Sequence, residues 1–310
     1  METTFSVAQR RLRPQIRRMN RLAPVFAAAL IAGCASAGAS RTAALAPPPA
    51  ALGLDPFYRQ HVDAAGIPVV GSERVPAAAL RAARDIVTAM LAHRADIRRD
   101  LARSGARVAV IAEEEGTMDL PEYRHWTKPA RDDPRLTRCE RDEYDARIAP
   151  LSHAQYWNAR TRGTGGNPVS VGAENLLARP GSRYFGESIL VHEFSHIVLA
   201  SVRRVDPPLH GRVRAAFERA IAAGKWRGDY AAVSVDEYWA EGTQFWFETN
   251  MISRLDDGVI LTADDLARYD PGLAAVLAEV YGRRHRIAAD RFHGHLARLD
   301  VPPGRRSADC

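Results

Sequence analysis

The sequence lacks a long apolar run, a phosphate-binding loop and an internal repeat. Its apolar run at residues 22–33 is too short to span a bilayer as a stable helix, which needs about 20 residues. The glycine-rich stretch at residues 163–172 has no lysine and no strand–helix context, so it does not indicate nucleotide binding. At 310 residues and 46% hydrophobic composition, the chain suits one sizeable domain with a small N-terminal extension.

The net charge of +6 gives no support to nucleic-acid binding. Residues 1–33 contain one acidic residue, Glu2, and six arginines, namely Arg10, Arg11, Arg13, Arg17, Arg18 and Arg21. This segment accounts for five of the six net positive charges, so the rest of the chain carries +1. The basic composition therefore indicates a targeting segment, and we expect no nucleic-acid partner.

The first 34 residues have a basic start, a short apolar run and the tetrapeptide Ile-Ala-Gly-Cys ending at Cys34. This pattern resembles a bacterial lipoprotein signal peptide, which implies that residues 1–33 are removed and that Cys34 is lipidated. Translation could begin at Met1 or at Met19. We expect a protein of the cell envelope that contacts the membrane through its lipid anchor. Alanine at position 35 favours the outer membrane of a Gram-negative source.

Residues 34–54 are rich in alanine, serine, glycine and proline, and they predict a flexible tether. The folded domain is then expected over residues 55–310. If Cys34 carries a lipid, Cys139 and Cys310 remain, and an oxidising envelope would permit a disulfide between them. Two unpaired thiols are the alternative, and neither cysteine has the spacing of a metal ligand.

Periodicity in the domain predicts mainly helices and a few strands. Strands are expected at residues 66–70 and 107–112, and residues 168–171 are a candidate sheet edge beside the later metal-site helix. Residues 113–147 are charged and rich in turns, which predicts a solvated surface. Helices are expected at residues 75–93, 96–104, 187–203, 207–223, 236–248, 262–268, 270–281 and 284–299.

The helix at residues 187–203 contains His-Glu-Phe-Ser-His, with His192, Glu193 and His196. At about 3.6 residues per turn, the two histidines share one helix face, where two imidazoles can bind one Zn²⁺. Glu193 then faces the open side of the metal. The alternative is a surface helix with two histidines and a solvated glutamate.

A second helix at residues 236–248 combines five aromatic residues with Glu237 and Glu241, whose carboxylates share one face. A catalytic zinc needs a third protein ligand and an open position for water. We predict Glu237 as that ligand and Glu241 as an acceptor for the N–H of a ligand histidine. The alternative is two solvated glutamates on an amphipathic helix.

His-Glu-Phe-Ser-His followed by Glu-Tyr-Trp-Ala-Glu resembles the zinc peptidase domain of the anthrax lethal factor-like metallopeptidases, which are relatives of the gluzincins. The similarity covers about residues 184–283 and implies a zinc-site core over about residues 160–283. It also implies that Tyr230, seven residues before Glu237, faces the zinc and assists catalysis. The sequence is similar, too, to a broad set of uncharacterised secreted proteins with this zinc-site pattern.

These observations predict an α+β, mainly helical zincin-like metallopeptidase domain with a small sheet beside the metal helix. The expected cofactor is one zinc per chain, and the expected partner is a peptide or protein substrate. Glu193 is expected to act as general base toward a water that zinc activates. Two other functions stay open: a tethered binding protein that keeps the scaffold without turnover, and a cell-wall amidase. The oligomeric state is left open.

Overall fold

A computed structural model describes residues 45–134 and 136–301. Within these ranges the chain is α+β, as predicted. The strands are β1 (Gln60–Ala64), β2 (Ile67–Gly71), β3 (Val108–Ile111), β4 (Gly163–Thr164), β5 (Val169–Gly172), β6 (Ser253–Leu255) and β7 (Gly258–Ile260). The α-helices are α1 (Ala77–Met90), α2 (Ala95–Arg103), α3 (Arg138–Asp142), α4 (Tyr144–Arg147), α5 (His153–Arg160), α6 (Ala173–Leu176), α7 (Ile189–Val205), α8 (Pro207–Ala222), α9 (Val235–Trp246), α10 (Ala263–Tyr269) and α11 (Pro271–Tyr281).

Five strands form the main sheet, in the order β1-β2-β3-β5-β4. The inner strands β2, β3 and β5 run parallel, whereas β1 and β4 pair antiparallel with their neighbours. The prediction of a free edge at residues 168–171 is wrong, because β4 pairs with β5 and itself becomes the edge. Strands β6 and β7 form a separate antiparallel pair.

The main core lies between one face of the sheet and the helices. Side chains alternate along β3, so Val108 and Val110 face the helical layer while Ala109 and Ile111 face the other side. Helix α7 lies in the middle of this layer and packs against α1, α2, α8, α9 and the β4–β5 end of the sheet. This position brings the metal helix against both the sheet edge and the second predicted site helix.

The other face of the sheet is covered by the segment that was predicted to be a solvated surface. Leu120 and Tyr123 are buried there with residues of β2 and β3. Leu136 belongs to a second small cluster with Ile148 and Tyr156. Residues 113–147 therefore include a few buried apolar side chains, and the prediction of a solvated surface is wrong at these positions. They are too widely spaced in the sequence to give a periodic pattern.

The predicted helices correspond to α1, α2, α7, α8, α9, α10 and α11, so these predictions are confirmed. The helix predicted at residues 284–299 is wrong: only Leu296–Leu299 is helical, as a 3-10 turn. Gly282 ends α11 with a φ of 70°. Asp290 then accepts hydrogen bonds from the N–H groups of Phe292 and His293, which stabilise a turn in place of a helix.

The signal peptide at residues 1–33, the lipidation site Cys34 and Cys310 lie outside the described residues. Cys139 is disulfide-bonded, and its pairing with Cys310 stays a prediction. At the end of the predicted tether, the carbonyl of Ala46 accepts a hydrogen bond from the N–H of His61 at 2.9 Å. In the part of the chain that is described, no helix is both long and apolar enough to cross a membrane.

Candidate metal centre

Helix α7 carries the His-Glu-Phe-Ser-His motif in its first half. His192 and His196 project from the same face, with ring centroids 5.1 Å apart. On the opposite face, Leu190, Phe194 and Val198 are buried in the main core. Packing of these apolar side chains therefore sets the rotation of the helix and the direction of both imidazoles.

The start of α7 is held by Asn175 and not by the side chain of its own N-cap residue, Ser188. Asn175 Oδ1 accepts a hydrogen bond from the N–H of Ile189 at 2.9 Å, and Nδ2 donates to the carbonyl of Glu187 at 2.8 Å. The first N–H groups of a helix have no intrahelical partner, so this buried amide stabilises the end of α7 beside the motif.

Helix α9 supplies the predicted third ligand from its first turn. Ser234 caps the helix by accepting a hydrogen bond from the N–H of Glu237 at 3.2 Å. In a capping box the glutamate side chain would return to the cap residue. Here Glu237 Oε2 instead lies 3.1 Å from His192 Nε2 and 3.7 Å from His196 Nε2.

A buried hydrogen bond joins the two site helices. Trp239 Nε1 donates to the carbonyl of Ser195 at 3.1 Å, and both residues have no solvent exposure. Ser195 lies between the two motif histidines in sequence, and Trp239 is two residues after Glu237. This bond therefore fixes the two halves of the site relative to one another.

The donor set fits a zinc ion. One potential ligand atom from each of His192, Glu193 and His196 lies within 4.8 Å of the others, and Glu237 Oε2 lies within 4 Å of both Nε2 atoms. Two imidazole nitrogens with one carboxylate oxygen are typical of a catalytic zinc site, in which water takes the fourth position. Glu193 lies beside the two histidines.

The carboxylates of the site stabilise a single positive charge. Burial alone lowers the pKa of His192, but the hydrogen bond with Glu237 and the charge of Glu193 raise it to about 10. Burial, together with the charge on His192, lowers the pKa of His196 to about 4. Burial opposes ionisation of Glu237, yet its contacts with both histidines lower its pKa. The carboxylates thus attract a cation to the point where the two Nε2 atoms converge.

Glu193 has the properties of a general base. Burial raises its pKa to about 7; the charge of His192 opposes this shift and that of Glu237 adds to it. The N–H of Gly165 donates a hydrogen bond to the carboxylate. A carboxylate with a pKa near neutrality can both accept a proton and return it at physiological pH.

The orientation of His192 depends on Gln244, a residue that sequence reasoning missed. Gln244 Oε1 lies 3.0 Å from His192 Nδ1, whereas Glu241 Oε1 lies 3.7 Å from the same atom. Glu241 instead accepts a hydrogen bond from Asn250 Nδ2 at 2.8 Å. Gln244 Nε2 donates to the carbonyl of Ser188 at 3.0 Å, which leaves Oε1 as the acceptor for the His192 N–H. His192 Nε2 is then the nitrogen available to a metal.

Tyr230 lies at the side of the site, on the 3-10 helix Tyr230–Ala232. Its hydroxyl forms a hydrogen bond that helps to lower the pKa of Glu237. Burial and the nearby carboxylates raise the pKa of Tyr230, so the hydroxyl keeps its proton at neutral pH. The loop before it is anchored by fully buried Trp226, whose Nε1 donates to Asp270 Oδ2 at 3.0 Å.

The edge strand β4 and the turn after it pack directly on α7, and this contact requires glycine. A Cβ atom on Gly163 would lie 2.4 Å from Ile189 Cγ2, and one on Gly165 would lie 2.6 Å from His196 Cδ2. The glycine-rich stretch therefore allows the backbone of β4 and the following turn to lie in close contact with the side chains of Ile189 and His196. Its composition predicted only that it does not bind nucleotides.

The structure thus brings five of the predicted residues to one place, namely His192, Glu193, His196, Tyr230 and Glu237. Glu241 lies next to them. The missed residue, Gln244, follows Glu237 and Glu241 at helical spacing on the same face of α9. That spacing is the signal that could have found it.

The chain matches no protein-family model and no curated protein sequence. Seven solved chains match its structure. One of them is the PRO-PRO endopeptidase PPEP-2 from Paenibacillus alvei, with 17% sequence identity and a TM-score of 0.41. The alignment covers 68% of this chain and 96% of that one. The function proposed below therefore rests on the side chains of the site itself.

Proposed function

We propose that this protein is a zinc-dependent hydrolase that cleaves peptide bonds. The observation that carries the proposal is the convergence of His192 Nε2, His196 Nε2 and Glu237 Oε2. The carboxylate of Glu193, with its raised pKa, lies beside them. His192, His196 and Glu237 would hold one zinc per chain.

When bound, zinc would supply a Lewis acid that acidifies water and polarises a scissile carbonyl at neutral pH. Glu193 takes the proton of the attacking water and later gives it to the leaving amine. Burial raises the pKa of Glu193 toward neutrality, which suits both steps, because the group is a competent base and its conjugate acid is a competent donor. Tyr230 donates a hydrogen bond to the oxygen on which negative charge develops.

We propose that the protein is related to the lethal factor-like gluzincins. The position of Tyr230, seven residues before Glu237 and in contact with it, supports this assignment. A peptide substrate is supported by β4, because it is the outer strand of the sheet and lies against the metal helix. The backbone N–H and C=O of Gly163 in this strand are hydrogen-bonded to the hydroxyl of Thr161, so an extended peptide that adds to this edge would displace that hydroxyl.

The experiment that tests this function is cleavage of a mixed peptide library by the purified protein, followed by mass spectrometry. We expect cleavage that stops when 1,10-phenanthroline removes the metal and returns when zinc is added. Isolated peptidoglycan serves as the parallel substrate, since the same chemistry could act on the cell wall. Release of soluble fragments from peptidoglycan, without cleavage of any library peptide, would point to an amidase. If zinc-loaded protein cleaved neither substrate, a tethered binding protein would be favoured.

We also propose that the mature protein begins at Cys34 and is held on the membrane of the cell envelope by a lipid. The support is the basic start, the short apolar run and the tetrapeptide that ends at Cys34. Fractionation of cells that express the wild type and Cys34→Ser tests this. We expect only the wild type to be processed and found with membranes; equal behaviour of the two proteins would contradict lipidation.

A further inference from the structure

A second recess lies at the opposite end of α9 from the candidate metal centre. It is a groove of about 710 Å³, and Phe247, just after α9, forms part of its wall. Glu237 lies in the first turn of α9, so about ten residues of helix, or roughly 15 Å, separate the two places. None of the residues that line the groove belongs to the site described above.

The groove is bounded by the segment that follows α11, at residues 282–287. Gly282 turns the chain with φ 70° and ψ −161°, a conformation that side chains other than glycine rarely adopt. A Cβ atom on Gly282 would also lie 3.0 Å from His93 Nδ1 on the far wall. Glycine at this position therefore lets residues 282–287 approach the end of α1.

Two side chains of this segment anchor it and direct its arginines to the groove. His285 Nδ1 lies 2.9 Å from the carbonyl of Trp246, and Ile287 is 1% exposed in the main core. Arg283, Arg284 and Arg286 are neighbours of these anchors in sequence and line the groove. The backbone that carries three guanidinium groups is therefore held in place before any ligand binds.

Within residues 45–134 and 136–301, no acidic side chain neutralises the three arginines. No carboxylate of the described residues lies within ion-pair distance of Arg283, Arg284 or Arg286. The acidic residue of the groove, Glu279, is already paired with Arg212. The C-terminal ends of α1 and α11 contribute about half a negative charge each, so about two positive charges remain uncompensated within the part of the chain that the structure describes.

The other walls of the groove are apolar. They consist mainly of the accessible methyl groups of Ala89, Ala92 and Ala278, with the edges of Phe247 and Tyr281, which are otherwise buried. The groove is many times larger than the roughly 30 Å³ that one water occupies, so a small inorganic anion would leave the apolar surface uncovered. An occupant that fits both parts needs a negative group and an apolar body.

We propose that this groove binds an amphiphilic phosphate ester, of which an anionic phospholipid is the simplest example. Guanidinium groups bind phosphate oxygens with charge-assisted hydrogen bonds, and the apolar floor receives the start of an acyl chain. The proposal concerns a site separate from the candidate metal centre and does not depend on peptidase activity.

The test uses the proposed mature chain, from residue 34 onward, with Cys34→Ser throughout, so that neither a lipid of its own nor the basic residues 1–33 compete. Titration calorimetry measures binding of monomeric dihexanoyl phosphatidic acid, dihexanoyl phosphatidylcholine and inorganic phosphate. We expect phosphatidic acid to bind most tightly, because phosphatidylcholine carries a compensating positive charge and inorganic phosphate has no apolar part. Replacing Arg283, Arg284 and Arg286 together by glutamine should weaken phosphatidic acid binding by about tenfold or more.

A matched control replaces three arginines outside the groove, Arg59, Arg254 and Arg291, by glutamine. It removes the same charge and should leave binding unchanged. Ala89→Phe places a bulky side chain on an exposed apolar wall of the groove. It should weaken the binding of phosphatidic acid but not that of inorganic phosphate. The proposal is overturned if phosphatidic acid does not bind, or if the two triple variants bind it equally. It is also overturned if inorganic phosphate binds as tightly as phosphatidic acid.

Discussion

At the scale of single residues, the amide of Gln244 decides which nitrogen of His192 faces the site. Gln244 has no solvent exposure, and both ends of its amide are used: Oε1 toward His192 Nδ1 and Nε2 toward the carbonyl of Ser188. A glutamate at this position could not donate to Ser188. The neutral amide is therefore the group that satisfies both partners at once.

We predict that Gln244→Leu weakens zinc affinity by about 10–100-fold, because His192 loses the acceptor that orients its ring. Competition with a chromophoric chelator measures the dissociation constant. Thr243→Val is the matched control: Thr243 is equally buried on the same helix, but its hydroxyl donates to the carbonyl of Trp239. A Gln244→Leu protein that binds zinc as tightly as the control would contradict the role given to the amide.

We predict that Tyr230→Phe lowers kcat by about 10²–10³-fold with little change in KM, since its hydrogen bond forms mainly in the transition state. The hydroxyl also contacts Glu237, so zinc content must be measured alongside the rate. Loss of zinc in step with activity would show that the hydroxyl supports the ligand and not the reaction.

The residues with a fixed local spacing could be predicted from the sequence, and those placed by tertiary contacts could not. His192 and His196, like Glu237 and Glu241, are one helical turn apart, which is visible in one dimension. Gln244 shares that face at helical spacing from Glu237 and Glu241, but a neutral amide does not by itself indicate a metal site. Asn175 could not be predicted, because it reaches the start of α7 from a different element.

At the scale of elements, the long helices were predicted well because their apolar periodicity matches one buried stripe. Strands β2 and β3 were also predicted, and β5 was predicted as a sheet edge, whereas β4 was not: it has two residues, one of them Gly163, and no alternating pattern. Its place beside α7 follows from the close fit of glycines against helix side chains. The helix predicted at residues 284–299 was wrong because composition alone was considered. The composition allows a helix, but Gly282 and the turn at Asp290 prevent one.

We predict that Gly165→Ala weakens zinc binding, because the new methyl group would overlap the imidazole of His196 at 2.6 Å. His196 must then move, and a displacement of this kind costs about 1–3 kcal/mol. Gly166→Ala provides the control on the adjacent residue, where the nearest atom is 3.9 Å away. Zinc titration of both variants checks this, and equal affinities would show that the contact with His196 is not important.

At the scale of the whole molecule, the candidate site is formed by packing of α7 against α9. Its residues are distant in sequence, since Glu237 follows His192 by 45 residues. The intervening chain forms α8 and the loop anchored by Trp226, whose indole donates to Asp270. Neither the His-Glu-Phe-Ser-His motif nor the apolar periodicity predicts that α7 and α9 pack together. This packing depends on buried contacts such as that of Trp239 with Ser195, which only the folded chain reveals.

The central claim is that His192, His196 and Glu237 hold one zinc while Glu193 is the base. Elemental analysis of dialysed protein tests it most directly, with the wild type, His196→Ala and Glu193→Gln measured side by side. We expect about one zinc per chain in the wild type and in Glu193→Gln, which keeps the three ligands. Glu193→Gln should nevertheless lose about 10²–10⁴-fold in turnover. His196→Ala should lose most of its zinc; a His196→Ala protein that retains one zinc per chain would contradict the account.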